Sequence, residues 1–271
     1  MDSFGFTARD QLTCGLHVHV SVDSDEEGIA VLDRIRIWLP ALAALSANSP
    51  FWNGDDTGYA SYRTQAWDRW PTAGPVELFG SAAGYHALIA GYIASGVLLD
   101  EGMVYSDARL SRKYPTVEIR VSDVCLYAED AVLIAGLVRA LVETAAREWG
   151  RGIPPRPVPV ALLRLALWRA SRSGMNGDLL HPMDNRPQPA PEVIEALFSH
   201  VSAALADSGD LSRVQSGLAV IMRRGTGEGR QRAMFARTGE LSAVVADAIR
   251  ASNGSQPLGS SPAGVGLLST G

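Results

Sequence analysis

Gly15-Leu16-His17-Val18-His19-Val20-Ser21-Val22 alternates apolar and polar residues without interruption. Leu16, Val18, Val20 and Val22 fall on one side of an extended chain and His17, His19 and Ser21 on the other, the pattern of a half-buried strand. Tyr114-Pro115-Thr116-Val117-Glu118-Ile119-Arg120-Val121 repeats the pattern, with Val117, Ile119 and Val121 on one side and Thr116, Glu118 and Arg120 on the other. Side chains two apart on a strand share a face, with Cα atoms ~6.5–7 Å apart. If both strands belong to one sheet, imidazole, carboxylate and guanidinium converge on one polar surface. A neutral imidazole and a carboxylate can ligate a divalent cation, and an arginine fork suits a phosphate or carboxylate. Metal and arginine together are what phosphoryl transfer demands. Taken alone, the same alternation also describes a strand whose polar side faces water.

Outward from these strands the pattern is helical. Ile29, Leu32, Ile35, Leu39, Leu42 and Leu45 recur at spacings of three and four, which predicts a helix kinked or broken at Pro40. Residues 48–84 carry Gly, Pro, Asp, Tyr and Trp without a clear period and read as a long functional loop or a set of short elements. A long helix is expected from Ala128 to Trp149, with Glu129 and Asp130 suited to its first turn. Ile153-Pro154-Pro155-Arg156-Pro157-Val158-Pro159 reads as a stiff connector. Helices are expected near 160–172, 190–206, 211–223 and 230–250. These elements read as an α+β fold with a helical C-terminal half. Residues 1–250 form one domain in this reading, and 251–271 a disordered Gly-, Ser- and Pro-rich tail.

Composition narrows the function classes. Apolar residues make up 46% and charged residues 20% of the 271 residues, as in a globular protein with a real core. The net charge of −5 offers no basic footprint for nucleic acid. No uncharged apolar run reaches the ~18 residues of a membrane span, and the N-terminus has no leader-like apolar stretch. Two cysteines, Cys14 and Cys125, do not make a disulfide framework. A cytoplasmic protein with small-molecule substrates is expected, with no nucleic acid or membrane partner; homodimerisation is an open expectation.

Taken together, several blocks resemble one family. Thr13-Cys14-Gly15-Leu16-His17-Val18-His19-Val20 resembles the central motif of glutamate–cysteine ligase type 2 proteins. Leu45 to Trp52, continuing through Asp56-Thr57-Gly58-Tyr59 to Ser61-Tyr62-Arg63, resembles a second block of that family. Arg109-Leu110-Ser111-Arg112 with Pro115 to Arg120, and Gly225-Thr226-Gly227 with Arg230-Gln231-Arg232, resemble two more. The resemblance spans Gln11 to about Arg250 and implies an N-terminally incomplete glutamine-synthetase-like fold, a curved, largely antiparallel sheet with helices packed outside. It implies an ATP- and Mg²⁺-dependent carboxylate–amine ligase that phosphorylates the γ-carboxylate of glutamate and joins it to an amine, nominally that of cysteine. By motif match, His17 and Glu118 would be metal ligands. Arg120 and Arg112 would be catalytic, Arg109 and Arg112 would contact phosphate, Arg63 would bind the amino-acid carboxylate, and His19 would contact nucleotide.

Family members carry a glutamate-rich segment upstream of the His-x-His strand that nothing before Gln11 matches, so the expectation is a chain short of metal carboxylates. Asp56 and Glu77 are the first substitutes to consider. A non-catalytic nucleotide-binding remnant and a zinc-dependent hydrolase using His17, His19 and Glu118 are the rival readings. The glycines at 225, 227 and 229 read as a helix–helix turn rather than a phosphate cradle. Trp52, Trp67 and Trp70 read as anchors of the long loop, and Cys125 as a small buried residue.

Overall fold

The computed structural model of the chain describes residues 4–9 and 11–254. After a short helix α1 (Gly5–Arg9), strand β1 (Gly15–Ser21) enters the fold. Helix α2 (Asp25–Ile35) follows at once, because Ser24 caps it and accepts a hydrogen bond from the Glu27 amide at 3.2 Å. The apolar period then passes into α3 (Leu39–Leu45), with the break at residues 36–38 rather than at Pro40. Pro40 lies in the first turn of α3, where its missing N–H leaves no helical bond unmade.

Residues 48–84 are a set of short elements. A hairpin of β2 (Phe51–Trp52) and β3 (Asp55–Asp56) turns at Asn53-Gly54, both at positive φ, the chemistry a two-residue hairpin requires. Helix α4 (Tyr62–Trp67) comes next, and α5 (Ala82–Ala94) closes the region. Strands β4 (Ala108–Leu110) and β5 (Thr116–Asp123) lead into the long helix α6 (Ala128–Gly150). The rest is helical except for a small hairpin: α7 (Val160–Ser173), β6 (Asp178–Leu180), β7 (Pro187–Pro189), α8 (Ala190–Asp207) and α9 (Leu211–Arg224). The helix expected over 230–250 is two, α10 (Gly227–Thr238) and α11 (Leu241–Ser252). Gly239 adopts the left-handed conformation and ends the first of them. Of the tail expected over 251–271, Ala251 and Ser252 belong to α11, and residues 255–271 lie outside the described residues. No helix among the described residues is long and apolar enough to cross a membrane.

The central sheet has the order β1-β5-β4 and is antiparallel throughout. Its apolar face, including Val117 and Ile119, joins the main core, where α2, α3 and α6 pack. Its polar face carries the candidate chemistry. The pairing slips once: Leu16 faces Ser122 and Val18 faces Ile119, so one residue of β1 stands opposite two of β5. That is a β-bulge at Arg120 and Val121, which raises local twist and frees backbone groups from the ladder.

Arg63 meets those freed groups. Its guanidinium donates to Arg120 O at 2.9 Å and to Val121 O at 3.3 Å. The approach requires Gly15, because a Cβ there would come within 2.8 Å of Arg63 Cζ. Asp123 holds the other side of the arrangement, accepting from the Asn48 amide and the Ser49 and Ser61 hydroxyls. Arg63 is thus a buried strut for the bulge, at 6% exposure; the expected contact with a substrate carboxylate is replaced by two backbone carbonyls.

Replacing Arg63 with Met should lower stability by about 3 kcal/mol, since two buried carbonyls lose a charged donor. Urea denaturation measures it, and an unchanged midpoint would show that the bulge does not need the strut.

Candidate functional site

The register across the three strands sets Glu118 opposite His19 of β1 on one side and opposite Arg109 of β4 on the other. Arg120, two residues along β5, and His17, opposite the bulge on β1, reach the same carboxylate. Glu118 Oε1 lies 3.0 Å from His17 Nδ1, 3.8 Å from His19 Nε2 and 3.7 Å from Arg120 Nε. Glu118 Oε2 accepts from Arg109 Nε at 2.8 Å. Four of the residues singled out in the sequence, His17, His19, Arg109 and Arg120, therefore meet around the carboxylate of a fifth, Glu118. The histidines are about a third exposed while Glu118 and Arg120 are buried, so the cluster opens to solvent on its imidazole side.

A turn preceding β4 covers the rest. Arg109 Nη1 donates to Gly102 O and Val104 O at 3.2 and 2.7 Å, and Arg120 Nη1 to Val104 O at 3.0 Å. Arg120 Nε is buried without a hydrogen-bond partner. Beneath lies an aromatic shelf: the Trp67 ring stands 5.7 Å from both the Arg63 and the Arg120 guanidinium, and Tyr105 stands 5.6 Å from Arg120. Trp67 itself donates to Tyr105 O at 3.2 Å. The sequence reading gave Trp67 the role of a loop anchor; it also orients both arginines. Its spacing of four from Arg63, one helical turn along, was the available signal.

Electrostatics follow from this crowding. Burial raises the Glu118 carboxyl, but the His17 and Arg109 hydrogen bonds and the Arg109 and Arg120 charges outweigh it and hold it at about 2. Burial, reinforced by the Arg109 charge, lowers Arg120 to about 10. Asp107, also buried, is pushed the other way to about 7 by desolvation and the nearby Asp68 carboxylate, against the pull of Arg63, Arg164 and Arg120. Neither aspartate figured in the sequence reading, although Asp107 sits two residues before Arg109 in a strand-like stretch.

Other expectations fall elsewhere. Arg112 does not reach Glu118; it is half exposed and faces Asp100 and Glu101 at 3.4 and 3.6 Å. His19 leans on Thr116 Oγ1 at 3.0 Å. Asp56 pairs with Arg232 through two bonds of 2.8 and 3.0 Å, and Glu77 faces Arg36 at 3.8 Å, so neither supplements the cluster. Gly225 and Thr226 form the expected helix–helix turn, and Gln231 just beyond it clamps Asn48 through two bonds of 2.7 Å. Burial pushes the Cys125 thiol up to about 12, as befits an inert thiol.

The cluster does not fit a divalent cation as it stands. Both imidazoles address the same Glu118 oxygen rather than a common point beside it. Mg²⁺ draws on several oxygens, and here one carboxylate is flanked by two arginines. Among the described residues no group of three His, Cys, Asp or Glu is arranged to hold a metal ion. The expected His17–Glu118 metal pair is a direct contact instead, and the zinc alternative finds no cage. What the face offers is an excess of fixed positive charge around a single ionised carboxylate, suited to an anionic group such as a phosphoryl or carboxylate.

Comparison with known proteins agrees with the blocks read from the sequence. The model of the glutamate–cysteine ligase family 2 matches residues 1–247. A protein of Paenarthrobacter aurescens named "Putative glutamate–cysteine ligase 2-1" is 59% identical over 246 residues, which cover 91% of this chain and 64% of that protein. A Streptomyces coelicolor protein named "Putative glutamate–cysteine ligase 2" is 57% identical over 249 residues, covering 92% of this chain and 69% of the other. The chain thus spans 64% and 69% of the lengths of these relatives. Its fold is like that of a glutamate–cysteine ligase from Francisella tularensis solved in complex with AMP. The TM-score is 0.60 at 14% identity, over 85% of this chain and 58% of that one.

The two perturbed carboxyls give opposite pH signatures. Glu118, depressed in the fold, stabilises above the ordinary carboxylate range and loses that contribution as pH falls from about 4.5 toward about 2. Asp107, raised in the fold, costs stability as pH rises from about 4 through about 7. Thermal melts should therefore show Glu118→Gln closing its stability deficit to wild type in acid. Asp107→Asn should gain on wild type between pH 5 and pH 8. Parallel pH curves for wild type and both variants would contradict the assignment.

Proposed function

Because the chain belongs to the glutamate–cysteine ligase family 2, matched over residues 1–247, we propose that its arginine-rich sheet face serves ATP-dependent carboxylate–amine ligation. The observation that carries the reading is the convergence of Arg109 and Arg120 on Glu118, with His17 and His19 at the open edge. In the reaction, a carboxylate oxygen of the acid substrate attacks the γ-phosphorus of ATP, and ADP leaves with the cleaved bond's electrons. The acceptor ammonium releases a proton to water, and its nitrogen attacks the acyl carbon and expels inorganic phosphate with the C–O bond's electrons. A second proton passes to water as the amide forms. Negative charge gathers on the transferring phosphoryl in the first step and on the leaving phosphate in the second, where pre-positioned arginines act without reorganising.

The roles divide by geometry. Arg120, set beside Glu118 and oriented by Trp67 and Val104 O, is the candidate charge for the transferring phosphoryl. Arg109 is held by Glu118 and by two carbonyls, and presents a fixed second charge. Glu118, kept ionised, sets the directions of Arg109 and His17. His19 stands at the solvent-facing edge and is the candidate nucleotide contact. Glutamate as the acid and cysteine as the nominal amine follow from the family and are part of the proposal. Mg²⁺, which such chemistry commonly uses with ATP, is assigned no ligand among these residues.

The test is glutamate-dependent ADP formation by the full chain, with γ-glutamylcysteine detected once cysteine is added. Arg120→Lys keeps the charge but loses the planar fork, so turnover should fall by ~10²-fold or more while the melting temperature changes little. A variant with near-normal turnover would remove Arg120 from phosphoryl transfer.

A further inference from the structure

Arg109 and Arg120 share one acceptor. Val104 O takes a hydrogen bond from Arg109 Nη1 at 2.7 Å and another from Arg120 Nη1 at 3.0 Å. Two guanidinium groups on one oxygen repel each other, so the gap between them is only as well defined as the oxygen that bridges them. What fixes that oxygen comes from a distant part of the chain. The Thr72 hydroxyl accepts a hydrogen bond from the Tyr105 amide at 3.1 Å and donates to Met103 O at 2.6 Å. Val104 O and the Tyr105 N–H belong to the same planar trans peptide and point to opposite sides of it. Thr72 therefore holds one side of the peptide whose other side carries both arginines.

The neighbouring backbone keeps Thr72 in place. Gly74 O accepts from the Asp107 amide at 3.1 Å, so the segment 72–74 runs alongside 105–107. Trp67 Nε1 closes the other flank by donating to Tyr105 O at 3.2 Å. Among the described residues the Thr72 hydroxyl bonds only to the two backbone groups that bracket Val104, and to neither arginine. We propose that Thr72 is a positioning residue for phosphoryl transfer: by clamping the Val104–Tyr105 peptide it sets the spacing of the Arg109 and Arg120 charges. The chemistry of this role rests on the ligase reading; the clamp itself rests on the hydrogen bonds alone. Serine could replace threonine, because its hydroxyl also donates once and accepts. Valine keeps the shape and loses both bonds. Thr72 is half-buried, so water can satisfy the two backbone groups in a valine variant, and the chain should still fold while the peptide loses its fixed direction.

Steady-state glutamate-dependent ADP formation by the full chain tests the role. Thr72→Val should lower kcat by ~10-fold with KM for glutamate unchanged, a smaller loss than that of Arg120→Lys because both charges remain. Thr72→Ser should keep near-wild-type kcat. In the Arg120→Lys background Thr72→Val should cost under ~3-fold more, since it acts partly through that arginine. A fully additive loss, or a serine variant as impaired as the valine one, overturns the role. Arginine side-chain NMR spectra of the free chain test the clamp separately. The Arg109 Nε–H signal, from a proton bonded to Glu118 at 2.8 Å, should shift in Thr72→Val and stay in place in Thr72→Ser. An unmoved signal in the valine variant overturns the clamp whatever the kinetics. If wild type forms no ADP with glutamate, the phosphoryl role falls with the ligase reading, and the spectra alone decide the clamp.

Discussion

Everything on the polar face depends on one contact, the Arg63 guanidinium against the bulged carbonyls of Arg120 and Val121. A bulge leaves backbone oxygens outside the ladder, and a buried oxygen without a donor is costly. Arg63 supplies two donors from a helix outside the sheet, and it can do so because Gly15 leaves room. In the bulged register His17 lies opposite Arg120 and Val121, and His17 and Arg120 both reach Glu118.

The same contact joins two parts of the chain that are distant in sequence. Asp123 ends β5 and accepts from Asn48, Ser49 and Ser61, the segment from which α4 and Arg63 emerge. Gln231 reaches back from α10 to Asn48. The blocks around residues 48–63 and 225–232 are thus largely a brace for the sheet, and the groups left for chemistry are few: Arg109, Arg120, His17 and His19, arranged about Glu118.

Electrostatically the cluster is a cationic surface with one anion fixed inside it. Glu118 stays ionised because two arginines and an imidazole surround it, which overrides its burial. Asp107, likewise close to guanidinium groups, is driven toward protonation by its own fuller desolvation and then by the nearby Asp68 carboxylate, against Arg63, Arg164 and Arg120. Two buried acids, one on β5 at about 2 and one just before β4 at about 7, show how much the immediate surroundings matter.

The sequence by itself determined the strands and the sides of those strands, because alternation is a local property and the apolar sides must be buried. It also determined most of the helices, and its motif blocks marked the residues that meet at Glu118. Some local signals went unread: Asn53-Gly54 announced a two-residue hairpin within the long loop, and Gly239 a helix end. The tertiary structure alone decided which residues those side chains meet. Strand order, the position of the bulge and the covering turn at Gly102 and Val104 all depend on pairings between residues far apart in the chain. For that reason Arg63 and Arg112, alike in sequence as exposed-looking arginines within motif blocks, part ways: one is buried beneath the sheet against backbone oxygens, the other stands at the rim of a separate cavity.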